Sequence, residues 1–493
     1  MGDRLLALIE PLRRWREQQQ GASARVFRVP PGMDGPRSAR WKNTVLRDES
    51  IPEQEWPRYL LVLGGLDQVS LELQQALGHD FFVGRLAFRD EQQLAAYADK
   101  VLRWERAPPL EARARSLFFT AHDGTAATQV GYHQLVLPSL QACLARQQQG
   151  DFRADIQEIG GPADWSPQAL LENAAATPPG VLLSVSHGLG APRQGWRSAV
   201  EQQALQGAMC LGPGQHLRAE DVASRPFLAG GLWVYLACFG GGTPHQSPYF
   251  HWLRGLQEAG VRMGRPEAVL ASLPASGQPP FIAALPQAAL ANPQGPLAIV
   301  AHVDLAWSYG FTDIDASTTR GRPSRFLGLL REWVEGRRAG VALSALLRFA
   351  SEASLELTLL EDREASERAA GRAFARDSAR RGHLWMMRQD VSGYVLLGDP
   401  AVRLPLAPDV TRAVTPSTPE VAALLGLPAR PVDAPTGPGT QAMEEAVLEL
   451  LAGTEAPKAI AARTGVSLAE LRHWERVFRE AGRAALAALS RSR

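Results

Sequence analysis

The sequence predicts an α/β protein built as two adjacent α/β subdomains with mostly parallel sheets, followed by a small all-α domain of helix-turn-helix type. Three observations carry this. Short apolar runs bounded by glycine and polar residues recur through the first 400 or so residues, among them Val181–Ser186 and Leu232–Ala237, as in strands buried on both faces of a parallel sheet. Amphipathic helical stretches alternate with them, as β-α-β construction requires. A Pro-, Thr- and Ala-dense stretch over 407–440 then separates this region from three short helical segments.

The boundaries follow the chain. Leu5, Leu6, Leu8, Ile9, Leu12 and Trp15 lie at helical spacing, and Ala24–Val29 alternates like a strand. Tyr59–Leu63 is a strand with a Gly64-Gly65 exit, Phe81–Leu86 is another, and Leu94 to Trp104 forms an amphipathic helix. The Gly-Gly exit lacks the G-x-G-x-x-G text of a nucleotide site. Residues 1–107 thus read as an N-terminal α/β subdomain ending at Pro108-Pro109.

A second α/β subdomain spans 108–406. It opens with the strand Ser116–Ala121, and a helix over Tyr132–Arg146 follows. Strands are predicted at Val181–Ser186, Leu232–Ala237, Pro296–Val303 and Tyr394–Leu397, and helices at Ser166–Ala175, Tyr249–Ala259, Phe326–Glu352 and Arg363–Arg381. The linker 407–440 carries one short predicted helix, Glu420–Leu425. In 441–493, helices over Met443–Leu451, Ala456–Thr464 and Ser467–Ala488 are joined by Gly465 and capped by Ser467. Lys458, Arg463, Arg472, Arg476 and Arg479 suit phosphate contacts, so this domain binds either DNA or an adaptor protein.

Composition narrows the function. A formal net charge of +1 over 493 residues does not imply bulk nucleic-acid affinity. Three cysteines, Cys143, Cys210 and Cys238, fit neither a paired disulfide framework nor zinc-ligand spacing, and no cofactor is expected. No apolar run approaches a membrane span, and the first 20 residues lack a signal-peptide layout, so the expectation is a cytoplasmic protein with no membrane partner.

The chemistry concentrates between residues 181 and 242. One apolar run ends on His187-Gly188 and the other, about 50 residues on, ends on Cys238. Neighbouring parallel strands deliver both side chains to one carboxyl edge, where open α/β sheets carry their sites. A free thiol is mostly protonated at neutral pH, and an adjacent imidazole that takes its proton makes it a nucleophile. The N–H groups of Gly188 and Cys238 suit an oxyanion hole. The bland alternative for Cys238 is a packed small hydrophobe.

This text, an apolar run ending in His-Gly and another ending in Ala-Cys, resembles the caspase-like clan of cysteine peptidases, most closely its gingipain family, over about residues 5–405. Further blocks carry the resemblance: Val83-Gly84-Arg85, Trp104-Glu105-Arg106 and Leu397-Gly398-Asp399-Pro400. It implies a gingipain-like cysteine endopeptidase that cleaves a specific protein substrate, with a role in bacterial defence or programmed cell death by analogy. It also implies that Asp123, at the end of the first strand of the second subdomain, orients His187, unless that carboxylate only caps the next helix. Trp307 matches a tryptophan that walls the S1 pocket, with a core aromatic as the alternative, while Asp304 and His302 lie where they would set that pocket's charge. Gingipains specific for arginine carry an S1 acid in the window that here reads Thr125–Val130. That window has no acid, so arginine specificity does not carry over. Two rivals stand beside the peptidase: an inactive peptidase-fold sensor or DNA-binding regulator acting through 441–493, and a hydrolase of small thioesters or amides.

Overall fold

An apolar run with no polar face must lie inside a sheet covered on both sides, and the central runs of this chain do so. The structure, a computed structural model, describes residues 2–52, 55–109, 113–163, 165–192, 194–258, 266–273, 277–315, 318–372, 377–407, 446–447, 449–450 and 456–475. Its contacts divide it into two units, Met1–Pro408 and Asp409–Arg493. The strands of the first unit are β1 (Tyr59–Leu63), β2 (Phe82–Leu86), β3 (Ala114–Thr120), β4 (Ala154–Glu158), β5 (Gly180–Val185), β6 (Leu232–Leu236), β7 (Ala298–His302) and β8 (Tyr394–Gly398). They form a single eight-stranded sheet in the order β1-β2-β8-β7-β6-β5-β3-β4. Every neighbouring pair is parallel except β7 and β8.

The four central strands β5, β6, β7 and β8 are buried along their whole length. Helices α1 (Gln92–Arg106), α2 (Tyr249–Glu258), α3 (Ser324–Val334), α4 (Ala339–Ala369) and α5 (Ser378–Ser392) follow in chain order. Tyr97 and Val101 of α1, Phe326 and Trp333 of α3, Leu346 of α4 and Leu384 of α5 join the strands in one apolar cluster. Each fully buried Leu, Val or Phe side chain stabilises such a core by about 1.5–3 kcal/mol.

The two predicted subdomains share this sheet. β2 meets β8 at the pair Leu397↔Arg85, and the approach is tight enough to need Gly84, where a Cβ would stand 2.2 Å from the Gly398 carbonyl oxygen. Helix α1 clamps the join. Tyr97 Oη donates to the Leu297 carbonyl and accepts from the Asp399 N–H, both at 2.7 Å. Lys100 Nζ donates to the carbonyls of Leu290 and Pro296. Asp399 also bonds Arg16 at 2.8 Å and caps its own turn through the Ala401 N–H.

Three local expectations are corrected. Ala24–Val29 is not a strand: its alternation comes from Phe27 and Val29 packing on a satellite cluster with Met33 and Trp41, while Arg25 and Arg28 pair with Glu55 and Asp3. The helices predicted at Phe326–Glu352 and Arg363–Arg381 are cut differently. Gly336, at φ 75°, ends α3, and α4 then runs on through Ala369. Strand β4, whose Asp, Gln and Glu dilute the apolar signal, had no counterpart in the sequence reading.

In the second unit, helix Pro457–Thr464 ends on Gly465 in the left-handed conformation. Ser467 then forms a reciprocal capping box with Glu470. Ile460, Ala461 and Leu471 make its small core with Ala446. The predicted helix Glu420–Leu425, and Arg476 and Arg479, lie outside the described residues.

Candidate active site

The sheet order fixes what meets at its carboxyl edge. Strands β7, β6, β5, β3 and β4 are parallel neighbours, so the residues just past their ends line up as Asp304, Cys238, His187, Asp123 and then the β4 terminus. The neighbouring Cys and His strands expected from the sequence are β6 and β5, paired from Val181↔Leu232 to Val185↔Leu236.

Cys238 sits on a sharp turn. Phe239 takes φ 57°, Gly240 N–H closes the turn on the Ala237 carbonyl at 3.1 Å, and Phe239 N–H donates to the Asp304 carbonyl at 2.7 Å. This arrangement holds the half-buried thiol at the end of its strand. Its Sγ lies 3.5 Å from the Ala306 carbonyl oxygen, to which it donates. Burial pushes the thiol up to about 11, relieved in part at Ala306 and reinforced by the carboxyls of Asp304 and Asp390. In this state the sulfur is protonated and bonded away from the imidazole.

Gly188 lies directly against it. A Cβ there would stand 1.7 Å from the Cys238 carbonyl oxygen and 3.1 Å from its nitrogen, so no other residue fits. His187 and Gly188 pair antiparallel with Cys210 and Met209. Leu189 donates across that ladder to Ala208 at 2.8 Å, and N–H groups alternate sides along a strand, so the Gly188 N–H faces away from the ladder.

His187 meets its carboxylate through a hydroxyl. Nε2 lies 2.9 Å from Thr125 Oγ1 and 3.8 Å from Asp123 Oδ2. Thr125 Oγ1 donates its proton to Asp123 Oδ1 at 2.8 Å, so it accepts from His187 Nε2–H. Burial works to raise the Asp123 carboxyl, but hydrogen bonds from Thr128 and Thr125 and the nearby imidazole outweigh it and hold the group below its usual range. Thr125, not Asp123, caps the helix Ala126–Gly131. Thr125 carries no distinctive signal in the sequence, since a hydroxyl ahead of a helix reads equally as an ordinary N-cap.

On the other side of Cys238, Asp304 is buried at φ 98°, with its Oδ1 accepting the Leu305 N–H at 2.7 Å. Among the described residues the buried Trp307 Nε1 and Tyr249 Oη have no hydrogen-bond partner. Burial raises Asp304 to about 7, against the opposing bonds from Ser247 and Leu305. Trp307 packs with Phe239, Tyr249 and Trp252 in the aromatic cluster that also receives Cys238. His302 is enclosed. Its Nε2 lies 2.9 Å from the Asp390 carbonyl, its Nδ1 3.2 Å from that of Asp304, and burial pushes it down to about 4, so it is a neutral core histidine.

Two further residues border the site without a signal in the sequence. Asp390, from α5, accepts the N–H groups of Trp307 and Gly310 at 2.8 and 2.7 Å and so fixes the Trp307 loop. Cys210 stands opposite His187, its thiol raised to about 12 by burial, Asp123 and Cys238.

No protein-family model matches the chain, and no curated protein does. Solved structures align along most of it. The Arg-specific cysteine proteinase gingipain R aligns at 12% identity and TM-score 0.44, covering 81% of this chain and 74% of its own. A structure described only as a protease aligns at 12% and 0.45, covering 81% and 76%. The complex of pro- and mature domains of a Porphyromonas gingivalis proteinase aligns at 12% and 0.45, covering 82% and 77%. Among the described residues no helix is long and apolar enough to cross a membrane.

Proposed function

We propose that this chain is a cysteine endopeptidase whose nucleophile is Cys238. The observation that carries the reading is the seating of Cys238 between the Gly188 backbone and the Asp304–Ala306 segment, one strand from the His187–Thr125–Asp123 relay. The thiol proton passes to His187 Nδ1 while Nε2–H stays on Thr125. The sulfur attacks a peptide carbonyl, a C–S bond forms, and the carbonyl electron pair moves onto oxygen, where the N–H groups of Gly188 and Cys238 receive it. Collapse breaks the C–N bond, and the departing amine takes its proton from the imidazolium. Water, deprotonated by His187, then releases the acyl group from sulfur.

The electrostatics set the task for His187. A thiol titrating near 11 is ionised in about one molecule in ten thousand at neutral pH, a deficit of about 5 kcal/mol that pairing with the imidazolium has to offset. Asp304 and Trp307 form the recognition wall. A cationic substrate side chain pairs with the Asp304 carboxyl, and the indole gives its stem an apolar surface.

The protonated resting thiol favours one rival, an inactive fold that acts as a sensor through the C-terminal helical unit and a DNA or protein partner. Treatment with a thiol-reactive acyloxymethyl ketone followed by intact-mass analysis separates the two. The peptidase reading expects one adduct, on Cys238, lost in Cys238→Ala and in His187→Ala. Labelling indifferent to His187 would favour the sensor.

A further inference from the structure

Beyond the aromatic wall of the site, α2, α4 and α5 enclose a groove of about 460 Å³. Arg381, Trp385 and Arg388 line it from one face of α5, Trp252 from α2, and Leu357 and Glu361 from α4. The groove adjoins the aromatic wall of the candidate site: Trp252 meets Trp307 edge-on at 5.8 Å, and Trp385 meets Tyr249, itself 5.8 Å from Trp307, at 6.0 Å. The two ring separations set Trp385 about four residues of extended chain, at roughly 3.3 Å each, from Trp307.

The charges in the groove are not balanced. Arg381 is paired with Glu364 at 2.8 Å and with Glu361 at 3.6 Å. Arg388, half-buried one turn beyond Trp385, has no acidic or hydrogen-bonding partner among the described residues. A half-buried guanidinium is partly desolvated, and its five donors match a carboxylate in two-point contact. The two tryptophans supply apolar area to the chain that carries that carboxylate.

We propose that this groove is an extended substrate subsite in which Arg388 holds an acidic side chain about four residues from the scissile bond. The inference rests on the peptidase reading and adds a second recognition point to it. A polypeptide is the occupant because two tryptophans of the groove touch the cluster that receives Cys238 and because the groove joins apolar area to an unpaired cation.

The test is cleavage-site profiling of the full chain on a synthetic random peptide mixture, read by mass spectrometry, with Arg388→Gln and Arg388→Glu beside the wild type. The wild type is expected to enrich Asp and Glu about tenfold at one fixed position three to five residues from the cut. Arg388→Gln abolishes that enrichment, and Arg388→Glu replaces it with Lys and Arg at the same position. Wild-type cuts with no acidic enrichment at a fixed position, or an enrichment that survives Arg388→Glu, would overturn the subsite while leaving the peptidase reading intact. No cuts at all, together with no ketone labelling of Cys238, would remove the peptidase reading and the subsite with it.

Discussion

Thr125→Val removes one oxygen and keeps the shape of the side chain, so it tests the relay more cleanly than any change at Asp123. The variant loses the 2.9 Å contact to His187 Nε2 and the 2.8 Å bond to Asp123, leaving the carboxylate 3.8 Å from the ring. A hydrogen bond to a charged group contributes about 1.5–3 kcal/mol, and the imidazolium that forms as Cys238 ionises is the species it supports. Each 1.4 kcal/mol or so is tenfold in rate, so the second-order rate of ketone labelling at Cys238 should fall about 10- to 100-fold. Thr125→Ser restores the hydroxyl and should stay within about threefold. The same residue caps the helix Ala126–Gly131, so Thr125→Val should also lower stability by about 0.5–2 kcal/mol, read as a shift in thermal midpoint. A folded Thr125→Val protein that labels at the wild-type rate, or a Ser variant as slow as Val, would refute the hydroxyl relay.

Other outcomes follow from the same geometry. Gly188→Ala forces a methyl to within 1.7 Å of the Cys238 carbonyl; labelling should drop at least 100-fold, and chemical denaturation should show a loss of about 1–3 kcal/mol. Asp304→Asn should act in opposite directions on stability and recognition. The folded protein holds the Asp304 proton to about 7 while an unfolded chain releases it near about 3.9, so the wild type loses stability as pH rises from about 4 through 7. The variant should therefore be the more stable protein at pH 8, with the difference gone at pH 4, yet it should lose its preference for substrates with a basic side chain at the cut. Asp390→Ala frees the N–H groups of Trp307 and Gly310; it should raise KM for peptides more than it lowers kcat, whereas equal effects on both would contradict a role in fixing the Trp307 loop.

Much of the fold was legible because its central strands have no wet face. Val181–Val185 and Leu232–Leu236 admit only a buried sheet, and once parallel neighbours are assumed, His187 and Cys238 fall at one edge. Asp123 was singled out by the gingipain resemblance, which matches it to an acid just past the end of β3. The connecting hydroxyl was not, because Thr125 is two residues on and its role depends on a turn that spacing does not encode. Asp390 and the groove at Arg388 were hidden for a longer-range reason: both arise where α5 returns to the sheet edge, some 80 residues beyond Trp307. Ala24–Val29 misled in the opposite way, since alternation of Phe27 and Val29 against polar residues reads the same whether the apolar side chains meet a sheet or a satellite cluster. The charged surface of α4 was read as a separate helix because Leu355 and Leu359 are exposed and the apolar periodicity breaks there.

The central claim is that His187 activates a thiol which burial alone would keep protonated. Its most direct test is the rate of Cys238 alkylation by iodoacetamide from about pH 5 to 11, followed by peptide mapping, in wild type and His187→Ala. Wild-type alkylation between about pH 6 and 8 should exceed by at least tenfold what a thiol titrating near 11 allows, and His187→Ala should lose this excess and retain only the alkaline rise. A single alkaline titration, identical in both proteins, would contradict it.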